Sequence, residues 1–203
     1  MSGYLENIDR ADGYVFDFGG VMTVSPIPKW EHTLYPYCES LGLDRRFVIE
    51  GQLKWRRLWD ADLISFREMY ERIFSSASLP VPTEAVMSEL VRLDKFSWVD
   101  ELRQDTLELM RAFKAAGRKV GILSNQSTDF YHDCYVPRCG AYRELADAEV
   151  ISGIEKVYKP DPAIYRICES RMGLPPSRLV FFDDCPANVE GARALGWQAE
   201  LYV

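Results

Sequence analysis

The sequence predicts an α/β fold, a doubly wound parallel sheet whose first strand is followed by an all-helical insert. Three observations predict it. Short apolar runs alternate with amphipathic stretches through the second half of the chain, the pattern of strands and crossover helices in a parallel sheet. Three apolar runs end in polar residues: Asp17, then Ser124-Asn125, then Asp183-Asp184. Between the first run and the rest, residues 29–98 carry helical pattern and little strand signal.

Gly13 to Phe16 is a continuous apolar run, as expected of a short strand buried on both faces. It runs into Asp17. Gly19 and Gly20 follow closely and let the backbone turn sharply and approach a ligand. Taken alone, Asp17 is as readily a cap for the next turn as a reactive group. Ser25-Pro26-Ile27-Pro28 is a breaker-rich linker. Leu53, Trp55, Leu58 and Trp59 then fall at helical spacing, as do Phe66, Met69, Tyr70 and Ile73. Ser65, with Glu68 three residues on, makes a capping box for the second set. Thr83 is an N-cap for a further helix carrying Val86, Leu90 and Val91.

From there strand and helix alternate. Leu102 to Ala116 is amphipathic and ends at Gly117, a C-cap. Lys119 to Leu123 is a buried strand that stops at Ser124-Asn125. Ala148 to Ile151 is a shorter one, and Lys159-Pro160-Asp161-Pro162 opens a helix carrying Ile164, Tyr165, Ile167 and Cys168. Leu179 to Phe182 is a strand ending at Asp183-Asp184, a helix around Val189 to Leu195 stops at Gly196, and Gln198 to Val203 is a last strand. The resulting Rossmann-like sheet has helices on both faces. Residues 1–24 and 100–203 form its core, and 25–99 the helical insert.

The 203 residues can bury a substantial core, and 47% apolar with 27% charged residues is a globular composition. A net charge of -7 argues against nucleic acid or an anionic membrane as partner. The five cysteines show no paired spacing, residues 1–12 lack signal-peptide character, and no apolar run approaches the ~20 residues of a membrane span. A reduced, cytoplasmic chain is expected.

In an open parallel sheet, ligands bind outside the carboxyl ends of the strands. Asp17, Ser124, Asn125, Asp183 and Asp184 therefore converge on one rim. Three crowded carboxylates raise one another's pKa unless a cation neutralises them, and hard oxygen donors suit Mg²⁺. Ser124, Asn125 and a lysine supply the hydrogen bonds and charge that a transferring phosphoryl group needs. Lys159 and Lys156 compete for that last role. The residue before a proline is held extended, which favours Lys159.

This set, in this order, resembles the haloacid dehalogenase superfamily, over nearly the whole chain. The nearest likeness is to its sugar-1-phosphate phosphatases and the amino-terminal phosphatase domain of epoxide hydrolases. The resemblance implies that residues 25–99 are a cap over the catalytic core. It implies Asp17 as the nucleophile that becomes an aspartyl-phosphate, with Lys159 as its catalytic partner. Phosphate would be held by Phe18, Gly19, Ser124, Asn125 and Lys159, and Mg²⁺ by Asp17, the Gly19 carbonyl, Asp183 and Asp184. The expected substrate is a small phosphorylated metabolite, a sugar phosphate above others.

One position departs from the pattern. Most family phosphatases carry a second aspartate two residues after the nucleophile, as general acid and base. Here that residue is Gly19, and general acid catalysis is typically worth ~10²–10⁴-fold. The expectation is a preference for leaving groups needing little protonation, or an acid borrowed from the cap or substrate. His32 is one candidate for that acid. Cys185 is expected to be a small filler, because negative neighbours suppress its thiolate. Trp30, Trp55, Trp59 and Trp98 are expected to pack the insert rather than stack on a sugar. A metal-independent dehalogenase and a catalytically silent binding protein of the same fold are the alternatives. A phosphomutase is disfavoured, since it leans on the missing aspartate.

Overall fold

The computed structural model describes residues 10–24, 30–96 and 101–202. The predicted linker at 25–28 and Trp98 lie outside them. Five parallel strands form one sheet: β1 Gly13–Phe16, β2 Lys119–Ser124, β3 Ala148–Ile151, β4 Leu179–Asp183 and β5 Gln198–Leu201. Their order is β3-β2-β1-β4-β5, which puts the first strand in the middle.

Because β1 is central, its side chains alternate between two buried faces. Tyr14 and Phe16 join Val120, Ile122, Val180 and Phe182 beneath the helix Gln104–Ala115, where the Tyr14 and Phe113 rings stack at 3.6 Å. Val15, Leu123 and Phe181 face the other way, against the helices Pro162–Met172 and Pro186–Ala194. The local signals behind these helices hold. The Asp161 side chain accepts from the Ala163 N–H, and Gly117 and Gly196 take positive φ just beyond the ends of their helices.

Residues 30–96 contain the helices α1 Leu34–Ser40, α2 Arg45–Asp60, α3 Phe66–Ser76 and α4 Glu84–Phe96. They enclose an apolar cluster of their own, including Trp30, Trp59, Tyr70 and Leu90, so these two tryptophans pack the insert as expected. Ser65 and Glu68 form the predicted capping box, and the Val86 N–H donates to Thr83 Oγ1. Leu53 is a correction: its spacing suggested a packed face, yet it is 82% exposed. The packed face of α2 runs instead through Val48, Gly51, Gln52 and Trp59.

Within that cluster sits a polar network. Arg56 donates to Asp94 Oδ1 at 2.7 Å and to Asp60 Oδ1 at 3.1 Å, while Gln52 and Tyr70 donate to Asp94 Oδ2. The Arg56 guanidinium lies 4.2 Å from the centre of the Trp59 ring. Polar contacts help seat the insert on the sheet's carboxyl edge. Ser152 Oγ donates to the Asp60 carbonyl at 2.6 Å, the Thr128 N–H to Asp62 Oδ1 at 3.2 Å, and Lys156 Nζ to Asp62 Oδ2 at 3.1 Å.

Candidate active site

The register of the sheet makes the site. Phe16 lies beside Ile122 on one side and Phe182 on the other, so the chain carries Asp17, Ser124 and Asp183 out at one edge. One carboxylate oxygen from each of Asp17, Asp183 and Asp184 falls within 4.8 Å of the others. Gly20 permits this approach. Its φ is +66°, and a Cβ there would stand 2.7 Å from Asp184 Oδ2.

Lys159 is fully buried among these groups. Its Nζ donates to Asp17 Oδ1 at 2.8 Å, to Asp183 Oδ2 at 2.6 Å and to the Leu123 carbonyl at 2.9 Å. Lys156, the competing lysine, is instead drawn to Asp62 of the insert. Asp183 is saturated, because Asn188 Nδ2 and the Cys185 N–H also donate to it. Asn125 braces Lys159: its Oδ1 accepts the Lys159 N–H at 2.8 Å and its Nδ2 donates to the Lys159 carbonyl at 3.1 Å. The amide expected to hold phosphate is thus engaged with backbone at both ends. The Phe18 N–H donates to Asp17 Oδ1 at 2.7 Å. Both contacts on Asp17 fall on Oδ1, leaving Oδ2 without a hydrogen bond among the described residues. Ser124 Oγ likewise has none there.

The charges do not balance. Burial pushes the Asp17 carboxyl well above the ordinary carboxylate range; Lys159 opposes that shift, and Asp183 and Asp184 add to it. Burial and then Asp183 push Asp184 up to about 6, with Lys159 opposing. For Lys159, burial works against the ammonium, but Asp17 and Asp183 outweigh it and hold its pKa above the usual lysine value. One lysine among three carboxylates leaves the cluster electron-rich and receptive to a further cation.

Above the cluster lies a cavity of ≈ 160 Å³. Asp17, Gly19, Ser124, Gln126 and Asp184 line it from the sheet edge, with Phe18 and Phe130 as apolar wall, and Arg56 and Asp60 line it from the insert. Sequence reasoning did not single out Arg56, Asp60 or Gln126. Gln126 directly follows the Ser124-Asn125 pair, the one signal that pointed to it. Its amide is 3% exposed, and neither its nitrogen nor its oxygen has a partner among the described residues. His32 is exposed, in the turn Trp30–His32, and is not among the residues lining the cavity.

The family model for haloacid dehalogenase-like hydrolases matches residues 11–196. The chain belongs to that family. Among its curated relatives, the haloacid dehalogenase-like chain is 33% identical to phosphatase MT3486 of Mycobacterium tuberculosis over 56% of its own length and 51% of that protein. It is 26% identical to fructose-1-phosphate phosphatase YqaB of Escherichia coli over 94% of its length and 96% of that protein. Haloacetate dehalogenase H-2 of Moraxella sp. is 33% identical over 44% of the chain and 39% of that enzyme. The chain spans about half or less of several of these relatives, and 17% of mouse acyl-CoA dehydrogenase family member 10. A solved haloacid dehalogenase family enzyme of Bacteroides thetaiotaomicron, an aspartate-to-alanine mutant in complex with magnesium and inorganic phosphate, superposes with TM-score 0.72 at 18% identity, covering 94% of this chain and 93% of that one. At that identity the likeness establishes the fold. Among the described residues, no helix is long and apolar enough to cross a membrane.

Proposed function

We propose that this hydrolase is a Mg²⁺-dependent phosphatase of small organic phosphate monoesters, sugar phosphates first among them, acting through an aspartyl-phosphate on Asp17. The observation that carries the reading is the buried Lys159 held between Asp17 and Asp183, beside an unpaired Ser124 hydroxyl at the cavity wall. Full-length similarity to a fructose-1-phosphate phosphatase supports the substrate class.

The donor set fits Mg²⁺. Asp17, Asp184 and the Gly19 carbonyl are hard oxygen donors, and three carboxylates share a single lysine there, with burial first and then the neighbouring carboxylates raising the pKa of Asp17 and Asp184. Asp183, already bonded to Lys159, Asn188 and Cys185, serves by holding Lys159 in place. When bound, Mg²⁺ would supply positive charge for the phosphoryl oxygens and favour the ionised form of Asp17.

The protein's own groups account for the rest. Asp17 Oδ2 attacks phosphorus while Oδ1 stays fixed by Lys159 and the Phe18 N–H. Ser124 Oγ meets an equatorial oxygen, where charge must be stabilised. The buried Lys159 ammonium, its three donors spent on Asp17, Asp183 and the Leu123 carbonyl, acts by holding Asp17 rather than by touching the phosphoryl group. Residues 25–99 act as a cap that closes the cavity from above. The Gln126 amide is sealed from solvent and has no partner among the described residues, so it is not assigned a contact with substrate.

The test is phosphate release from p-nitrophenyl phosphate and a sugar-phosphate panel, with Mg²⁺ and with EDTA, for the wild type and Asp17→Asn. Activity that needs Mg²⁺ and disappears in Asp17→Asn is expected. Halide release from 2-haloacids without Mg²⁺ would favour dehalogenation, which relatives in the family make the second reading. No product from any substrate by folded protein would favour a silent binding role.

A further inference from the structure

Cleaving a phosphate monoester of an alcohol leaves an alkoxide, a poor leaving group unless a proton reaches it during cleavage. Gly19 cannot supply that proton. Of the cavity's ionisable side chains, Asp17 is the nucleophile and Asp184 belongs to the cation site. For Arg56, burial disfavours the charge, but Asp94 and Asp60 outweigh it and keep the guanidinium cationic. One carboxyl remains, at the end of α2. We infer that Asp60, carried by the insert, is the proton donor to the leaving-group oxygen and afterwards the base that activates the hydrolytic water. The inference rests on the phosphatase reading.

Three observations carry it. Asp60 borders the same ≈ 160 Å³ cavity as Asp17 and Ser124. Its Oδ1 is held by Arg56 Nε at 3.1 Å, whereas Oδ2 takes no hydrogen bond among the described residues and is not among the buried, sealed-off polar atoms. Its main chain is fixed to the sheet edge, since Ser152 Oγ donates to the Asp60 carbonyl. One oxygen is anchored, the other is free, and the backbone is pinned. A positioned acid needs those three things.

The electrostatics agree in direction. Burial pushes the Asp60 carboxyl up to about 6, against the opposing pull of Arg56. Arg56 and Arg57 on its own helix favour its ionised form, and Asp94 from α4 disfavours it. Asp17 and Asp184 line the cavity with it. A donor that titrates close to neutrality is well matched to passing a proton both ways.

The proton and electron balance closes. Asp17 Oδ2 bonds to phosphorus, the P–O bond to the alcohol breaks, and its electron pair takes the Asp60 proton to give the free alcohol. The Asp60 carboxylate then removes a proton from water as that water bonds to the same phosphorus. The P–O bond to Asp17 breaks, Asp17 regains its carboxylate, and inorganic phosphate leaves with Asp60 protonated again.

The experiment compares leaving groups. For wild type and Asp60→Asn with Mg²⁺, kcat/KM is measured on p-nitrophenyl phosphate, whose leaving group needs no proton, and on the best alkyl or sugar phosphate of the panel. Asp60→Asn is expected to lower kcat/KM for the alkyl ester by ~10²-fold or more, and for the aryl ester by less than ~10-fold. In the wild type alone, the alkyl rate should fall as pH rises through the titration of the donor while the aryl rate does not, a split that survives even if the variant does not fold. Equal losses on both esters, or superimposable wild-type pH profiles, would overturn the inference and leave the phosphatase reading intact. No phosphate release by wild type from either ester would overturn both.

Discussion

Replacing Lys159 with methionine tests how the three carboxylates are held together. Lys159 is fully buried and contacts Asp17 at 2.8 Å and Asp183 at 2.6 Å. At an effective dielectric of about 20, each contact is a gross attraction of about 6 kcal/mol. Desolvating the ammonium and both carboxylates takes back several kcal/mol per ion, so the net cost of removing one partner falls to about 3–5 kcal/mol. That loss should appear in urea denaturation followed by tryptophan fluorescence at pH 8 in EDTA. Saturating Mg²⁺ should recover a good part of it, because a cation held by Asp17 and Asp184 then offsets their charge. Lowering the pH to 5 should also shrink it. Asp17 and Asp184 have folded pKa values above the unfolded one, so they take up protons across that window and the uncompensated repulsion fades. Equal stability of Lys159→Met and wild type at pH 8 in EDTA would refute the reasoning, since the ion pairs would then do no more than offset their own burial.

The same two carboxyls make the metal-free wild type pH-sensitive. A raised folded pKa means that the folded state binds more protons, so stability should fall between about pH 4 and 8, by at most about 1.4 kcal/mol per unit per group. Mg²⁺ should flatten that slope, as pH-dependent melting in EDTA and in Mg²⁺ will read. Gly20→Ala places a Cβ 2.7 Å from Asp184 Oδ2 at φ +66°, a backbone region costing a non-glycine residue ~1–2 kcal/mol. The Mg²⁺ concentration for half-maximal activity should rise well beyond what the stability loss explains. Gln126→Leu removes a buried amide without partners, so the protein should become more stable by about 1–3 kcal/mol.

The sheet and most of the Asp17 cluster were legible because their signals are local. A buried apolar run ending in an aspartate is contiguous in sequence, and register in a parallel sheet brings such ends together without further information. Lys159 was legible through its place before Pro160, although its burial was not. Asn125 was assigned to the ligand and found bracing the Lys159 backbone, because an amide's partners depend on how two loops approach. That the insert could lend an acid was legible, but which of its residues reach the cavity was not. Arg56 meets Asp94 across 38 residues of sequence, and Asp60 reaches the cavity only through the packing of α2 against the sheet edge. Between Gln126 and Asp147 the chain forms a continuous helical stretch over residues 128–138, widened to a π turn at Tyr131–Tyr135, and then a short helix Gly140–Arg143. The π turn breaks the 3.6-residue period, so the stretch does not read as one helix.

Where the proton donor is carried decides how chemistry is linked to closure. The contacts that seat Asp60 and Asp62 on the sheet edge are polar, the one on the Asp60 carbonyl buried and the two on Asp62 part-buried or exposed, each worth about 0.5–1.5 kcal/mol. They depend on close approach as well. A Cβ on Gly153 would meet the Thr128 nitrogen at 2.6 Å and the Gln126 carbonyl at 2.9 Å, so the loop that receives the insert is already packed to the limit of a glycine. Together with the ion pairs of Lys95 with Asp129 and Asp133, these contacts define where Asp60 stands at the cavity. An acid on the nucleophile's own loop would be present whether or not the insert were seated. An acid on the insert would be present only when it is, so on the proposed reading water reaching Asp17 with the insert unseated would not meet the group that completes the reaction.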